Sequence, residues 1–541
     1  MFGLGQQSKS PNVTAQHRLN VYYEISAQED KTQVTAYGTA GLELNIAFGE
    51  TPARGIWSVN DFNYVVHRGT LWSVNNAGLK TMLGSLDTLS GQVYMKDNGV
   101  QLMIVDGSDG YIYNMREPDA VTITSITHSG TTATATTATD HGLDVGQSFT
   151  ESGASPSQYN GTFVVTEVPS STTFKYEMLS APATNATVVG TYTVNYFQKI
   201  TAEGFPSSPT TVDFIGGKFV ISIEDSGRFY SSGIYNGLTW DALDYANAES
   251  NPDNLVRVFV SNGTLYLLGK FSTELWGVSG GEEFSFALID GSAKEWGLAA
   301  RASVAKFNDG IIFLSRSRMG ECKVVMMQGL SMSEASDQAM DNIFNGYDDI
   351  ENAVGFSYML DGHPFYQITF PTPGITWLYD GSTSAWTQLQ SKGITRHRAQ
   401  LQTNYLNDVI VSDFENGNLY KLKGDVYTDN GEEIAREITG KHIFSDMKRV
   451  FIGQFQVDME TGVGLQFGQG SDPQIMLRTS TDNGHTWSLE RWKPLGAVGQ
   501  YRTRVIWTRV GMAFDTVFKL RMTDPVKFVL TGAYLEMESG K

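Results

Sequence analysis

Runs of β-forming residues broken by Gly, Asp and Asn recur along this chain. "YVVHRGTLWSV" (from Tyr64) and "QLMIVDGSDGYIYNM" (from Gln101) are followed by "KFVISIEDSGRFYSS" (from Lys218), "TLYLLGKFSTELWGV" (from Thr264) and "GIIFLSRSRMGECKVV" (from Gly310). "PFYQITFPTPGITWLYD" (from Pro364) and "DVIVSDFENGNLYKL" (from Asp408) complete the series. Each reads as a strand, a tight turn and a second strand. Most neighbours stand about 40–55 residues apart, the length of a four-stranded blade. A lone blade cannot cover both of its faces, so blades packed around an axis are the natural arrangement. The pattern predicts an all-β chain, a β-propeller of six or seven blades; one large β-sandwich is the alternative.

The spacing breaks once, between the second and third units. There the chain reads "DAVTITSITHSGTTATATTATDHGLDVGQSF" and then "YNGTFVVTEVPSSTTFKYEM", alternating with period two, with Phe163, Val165, Phe174 and Tyr176 as a core. Residues 119–196 are therefore expected to be a small all-β domain inserted in a blade loop, where insertions cost little. Residues 1–118 then hold the N-terminal segment and first blades, and 197–437 the remaining blades. One helix is predicted in "SMSEASDQAMDNIF", with Ser331 and Ser333 as caps and Ala335, Ala339, Ile343 and Phe344 on one face, packed on a loop face of the propeller. Beyond residue 438 the alternation changes character. Phe451, Phe455, Val457 and Met459 oppose Gln454, Gln456 and Asp458, and Phe518, Leu520 and Met522 alternate with Lys519 and Arg521. Sheets wet on one face are implied, and 438–541 is expected to be a C-terminal β-sandwich.

Composition narrows the function. A chain of 541 residues with 41% hydrophobic and 18% charged residues is a folded protein of several domains. Its net charge of −19 argues against an all-round grip on nucleic-acid phosphates, though not against DNA passing through unheld. The single cysteine, Cys322, excludes an internal disulfide and a thiolate metal cage, and is expected to be a buried small hydrophobe. No basic-then-apolar leader and no apolar run long enough to span a bilayer is present, so synthesis and folding in a cytoplasm are expected.

Candidate chemistry centres on "STDNGHTW", an Asp box of the type found in sialidase blades: Ser480, Asp482, Gly484, Thr486 and Trp487. These residues suit a hairpin turn, in which Asp482 accepts from backbone N–H groups, Gly484 takes positive φ and Trp487 tucks beneath the loop. A sialidase would need repeated boxes, an arginine cluster and a nucleophile pair; one box alone is present, so a structural turn is expected. "GVSGG" (Gly277 to Gly281) lacks the helix a nucleophile elbow requires. "DGSDG" (Asp106 to Gly110) reads as a hairpin turn rather than a calcium loop. The eight histidines show no metal-ligand spacing. No catalytic, cofactor-binding or metal-ligating residue is expected. The competing functional classes are a glycan-binding propeller for receptor recognition, which needs exposed aromatics on one loop face, and a glycosidase, which needs two facing carboxylates in a pocket.

Three segments carry a resemblance. "QHRLNVYYE" with "GLELNIAFGETPARGIW" near the start is one. "DGHPFYQITFPTPGITWLYDGSTSAW" is the second, with Gly362, His363, Phe365, Tyr366, Phe370, Pro371, Trp377, Tyr379, Asp380 and Trp386 as hallmark positions. The third is "DPQIMLRTSTDNGHTW" with "GAVGQYRTRVIWTRVGMAFDTVFKLRMTDPVKFVLTGAYLE". In this order they resemble the tail hub or nozzle proteins of short-tailed bacteriophages, also called packaged-DNA stabilisation proteins. Tyr23 and Ala40-Gly41 depart from the family's usual Pro and Pro-Gly, and the inserted segment resembles small β modules of other phage virion proteins. The resemblance implies a virion tail protein, assembled in the host cytoplasm as a ring of commonly six copies. That ring would sit beneath the portal adaptor, in contact with a tail fibre, tailspike, needle or plug, and genomic double-stranded DNA would pass through it without specific binding.

Overall fold

Tight turns set the blades. Asp361 and Gly362 both take positive φ (50° and 82°), as do Asn262 and Gly263 (49° and 73°). This is type I′ geometry, whose twist matches that of the flanking strands. Leu360 accordingly pairs with His363, and Ser261 with Thr264. The computed structural model describes residues 2, 5, 10–26, 33–115, 120–143, 145–248, 253–280, 284–445 and 448–539.

The chain forms two units, Arg54–Lys294 and the pair of segments Met1–Ala53 and Glu295–Lys541. The first holds four antiparallel blades, whose leading strands are Ala53–Val59, Tyr94–Asp97, Pro209–Ile215 and Leu255–Ser261. The second holds three more, beginning at Gly297–Leu298, Val354–Leu360 and Ala399–Tyr405. Among the described residues the blades number seven. In the seventh, Gly41–Ala47 from the N-terminal region is hydrogen-bonded to Asn418–Lys423, so the two ends of the propeller sequence share one sheet. Apolar side chains fill the spaces between neighbouring blades, for example Val66, Leu71, Leu102 and Ile104 between the first and second. Burial of both faces explains why many strands read as continuous apolar runs rather than alternating ones.

The second blade is interrupted. Its outer strand, Phe197–Lys199, is reached only after a closed six-stranded barrel whose strands run from Val121 to Val194. The expected start of this insertion, at residues 118 and 119, lies outside the described residues. Phe163, Val165, Phe174 and Tyr176 are all in the barrel core, packed around Phe149. Glu151 is buried with them and accepts a hydrogen bond from the Tyr176 hydroxyl at 2.7 Å. Burial pushes its carboxyl from 4.5 up to about 7, against the opposing effect of Tyr176. The unfolded chain therefore releases this proton first, and the barrel loses about 3 kcal/mol as pH rises from 4.5 to 7. Glu151→Gln is expected to recover most of that at pH 8 and little at pH 4, read as slower amide hydrogen exchange in the barrel strands.

The C-terminal sandwich draws on both chain ends. One sheet runs Val21–Ile25, Val34–Gly38, Val529–Ser539, Val450–Met459, Val505–Ala513. The other contains Arg436–Thr439, Asp515–Met522, Gln474–Ser480 and Arg491–Pro494. Their shared core includes Tyr23, Phe455, Trp507, Phe518, Leu520 and Met522. The N-terminal strands before residue 40, read from the sequence together with the first blades, instead complete this sandwich.

Two further readings need correction. Phe451 is exposed and Ile452 is buried, because a bulge at Gly453 shifts the pairing register and exchanges the faces of the strand. The helix spans only Gln338–Phe344 and is capped by Asp337, whose side chain accepts from Met340 N at 2.9 Å. Ser331 and Ser333 lie in the strand Ser331–Glu334.

Candidate functional site: the blade six–sandwich junction and the Asp-box turn

The Asp-box residues close on one another. Ser480 ends the strand Gln474–Ser480, and its hydroxyl donates to Asp482 Oδ1 at 2.7 Å while accepting from Gly484 N at 2.9 Å. Asp482 also accepts from Thr486 N (2.8 Å) and the Thr486 hydroxyl (2.6 Å). The Thr486 donors, with Ser480, hold the Asp482 carboxyl well below the ordinary carboxylate range. These bonds of the Asp482 carboxylate all run within its own turn, so the box organises a loop. Gly484 has φ +92°, and an added Cβ there would stand 3.1 Å from Ala15.

Trp487 is only half-buried, with the Lys519 ammonium 4.3 Å from its ring centre. The expectation that it tucks beneath the loop is met only in part. Trp487→Ala should therefore cost about 1–2 kcal/mol, well short of a full core cavity. Urea unfolding of the intact chain measures this.

The hallmark residues build the sixth blade. Gly362 makes its first turn. His363 Nδ1 lies 3.0 Å from Asp380 Oδ2, with both residues buried. Asp380 also accepts from Ser382 N (2.9 Å) and the Thr383 hydroxyl (2.8 Å). Tyr366 donates to Ser303 O at 2.7 Å, and Trp377 Nε1 to the Tyr347 hydroxyl at 3.1 Å. Phe370 stacks on Phe344, and Pro371 opens the turn whose Gly374 N donates to Phe370 O at 3.0 Å. Tyr379 packs against Trp386, whose indole donates to Ala335 O at 3.0 Å.

This blade does not end at its fourth strand. His17–Leu19 adds in parallel to Ala385–Leu389 and pairs antiparallel with Arg436–Thr439, which continues into Asp515–Met522, Gln474–Ser480 and Arg491–Pro494. A single sheet therefore gathers residues of all three segments that carried the resemblance. Tyr22 lies edge-on to His363 and Phe365, at 5.3 and 5.4 Å between ring centres.

Side chains that the sequence left without a role make the splice. Arg18 is buried and donates through Nε (3.1 Å) and Nη2 (2.7 Å) to Trp386 O. Asn20 takes positive φ (54°), and its amide donates to Gln390 O (2.9 Å) and Ala435 O (2.8 Å), linking blade to sandwich. No spacing or alternation in "QHRLNVYYE" marks either residue for this role. Burial pushes the Arg18 guanidinium below its ordinary value, with Tyr23 beside it.

Among the described residues no cluster of His, Cys, Asp and Glu is arranged for a metal ion. A small cavity at the junction is lined by Arg18, Tyr23, Phe365, Asp380, Trp386 and Thr387, and a wider groove by Met82, Leu83, Tyr113, Met115 and Tyr196. Neither pairs two carboxylates. "DGSDG" forms a hairpin turn in which Asp106 Oδ1 accepts from Ser108 N and Asp109 N. Gly277 and Val278 of "GVSGG" end a strand, and Gly281 lies outside the described residues. Cys322 is buried, which pushes its thiol up to about 12. No helix among the described residues is long and apolar enough to cross a membrane.

Two family models match in chain order. The one described as bacteriophage P22 Gp10, beta-propeller, covers residues 173–427, and the one described as bacteriophage P22 Gp10, beta-sandwich, covers 435–538. The chain belongs to the bacteriophage P22 Gp10 family. Members are structural proteins of short-tailed phages, and propeller followed by sandwich is the fold described above. The Gp10 propeller match opens inside the barrel, so residues 121–172 of the insertion fall outside it. No curated protein matches the chain.

Solved structures give weaker likenesses. A computationally designed protein, Ika8, is 11% identical, covering 71% of this chain and 100% of its own, with TM-score 0.33. The Neurospora crassa Pan2 WD40 domain is 8% identical over 69% and 89%, with TM-score 0.34. The phage phi92 endosialidase is 10% identical over 97% and 74%, with TM-score 0.31. At such scores these likenesses bear on neither mechanism nor substrate.

Proposed function

We propose that copies of this chain form the tail nozzle or hub ring of a short-tailed phage, six copies in our reading. The ring closes the DNA channel beneath the portal adaptor, holds the packaged genome and lets it pass at ejection. The observation that carries this reading is the ordered pair of Gp10-family matches, propeller then sandwich, spanning about two thirds of the chain. The role is structural rather than enzymatic. The axis of one propeller is too narrow for duplex DNA, so the duplex runs between subunits, which calls for a closed cyclic ring. A net charge of −19 suits a conduit, since acidic walls repel phosphates within a Debye length of about 8 Å. The same charge keeps free copies apart, so the protein is largely monomeric until it docks on the adaptor. A tail fibre, tailspike, needle or plug would attach to the assembled ring.

The test is a phage unable to make this protein. Its heads should package DNA and then lose it to added nuclease, and purified protein should restore protection. Heads that keep their genome without it would contradict the proposal.

A further inference from the structure

Charge is divided unevenly along the chain. Residues 436–541 carry 14 Lys or Arg against 11 Asp or Glu, net +3, whereas residues 1–435 carry 25 against 47, net −22. Five of those fourteen cations lie on or beside two adjoining edge strands of the sandwich. Arg491–Pro494 and Val505–Ala513 are the terminal strands of their respective sheets. They adjoin there, with Arg491 Nη2 donating to Thr508 O (2.6 Å) and Trp507 Nε1 to Arg491 O (2.9 Å).

Between Leu489 and Met512 stand five cations, Arg491, Lys493, Arg502, Arg504 and Arg509, and one carboxylate, Glu490. Glu490 lies 3.6 Å from Arg478. None of the five cations has an acidic partner among the described residues. Trp492 and Tyr501, 54% and 73% exposed, lie among them. Farther along the same edge strand Met512 is exposed opposite Phe451, also exposed. An exposed surface that mixes unpaired cations with aromatic and aliphatic side chains has the composition of a protein contact. Arg509 has φ +56° at the bulge facing Gly453, which interrupts the edge against simple strand addition. Side chains, not a continued β-ladder, would make the contact.

We propose that this edge is the sandwich's half of a head-to-tail contact with a second copy of the chain. The other half is the acidic unit Arg54–Lys294, which carries 12 Lys or Arg against 24 Asp or Glu. The proposal rests on the ring reading above. A closed ring joins two unlike surfaces of successive copies, and these two are unlike and complementary in charge.

The experiment adds purified full-length protein to heads that lack it, and counts copies per head by gel densitometry and electron microscopy. The variants are R502E/R504E/R509E and R502E/R509E. The second leaves Arg504 on Gln456 (3.0 Å), and thermal unfolding checks that both fold. Wild-type protein should give complete rings. The variants should dock singly or in incomplete arcs and need at least about tenfold more protein to close a ring. Variants that close rings as wild type does would overturn the proposal and leave the ring reading standing. Wild-type protein that decorates heads without forming rings would overturn both. Variants that fail to reach the head at all would make the edge an adaptor contact. Loss of duplex-DNA binding by the free variants, with rings intact, would make it a nucleic-acid surface.

Discussion

Replacing Arg398 with methionine should destabilise the seventh blade by about 3–5 kcal/mol, the cost of leaving a buried charge unpaired. Arg398 lies between two buried carboxylates, with Nη1 3.1 Å from Asp413 Oδ2 and Nε 3.1 Å from Asp429 Oδ1. Asp413 also accepts from the Tyr420 hydroxyl (2.8 Å) and from Glu415 N (2.8 Å), so its position is fixed whether or not the arginine is present. Methionine of similar reach fills the space but removes the cation that both carboxylates share. Urea unfolding at pH 7.5 measures the deficit. A deficit below 1 kcal/mol at neutral pH would show that water reaches the pair.

Trp386→Ala is the second large effect, also about 3–5 kcal/mol, because the indole is fully buried and its cavity cannot collapse. Its ring packs against Phe344 and Tyr379 at 5.7 and 5.1 Å, and its N–H satisfies Ala335 O. The carbonyl of the same residue receives the buried Arg18 guanidinium, so any shift of this strand also loosens the splice to the sandwich. Hydrogen exchange should therefore accelerate in His17–Leu19 and Arg436–Thr439 as well as in the sixth blade. Acceleration confined to the blade would mean that the splice stands by itself.

Blade strands were legible because two local signals agree: an apolar run and a turn that requires positive φ, as at Asn262-Gly263 and Asp361-Gly362. Partner choice was not legible. Nothing near Val21–Ile25 states that its core neighbours are Phe455 and Trp507, more than 400 residues away. Phe451 was misread because one extra residue at Gly453 inverts a period-two pattern, and glycine in a strand is only a faint sign of a bulge. The cap of the helix was misplaced because Ser331, Ser333 and Asp337 are all competent caps, and only the strand pairing of Ser331 with Gln328 and of Ser333 with Met326 removes the first two.

The hallmark residues could be picked out as a string, and so could the opening "QHRLNVYYE". That Tyr22 would lie against His363, and Arg18 against Trp386, depends on a parallel strand addition that no sequence period encodes. The turn at the Asp box and the positive φ of Gly484 were legible; the depth of Trp487, which lies against Lys519 of a neighbouring strand, was not.

We propose that this chain forms a symmetric ring on the DNA path. Cryo-electron microscopy of intact particles, with the propeller and sandwich fitted to the tail density, tests it most directly. The expected result is a closed ring of this chain below the portal adaptor, six-fold in our reading, with duplex density running along the ring axis between subunits. Tails in which this chain forms no symmetric ring, or in which it sits at the tips of fibres away from the DNA, would contradict it.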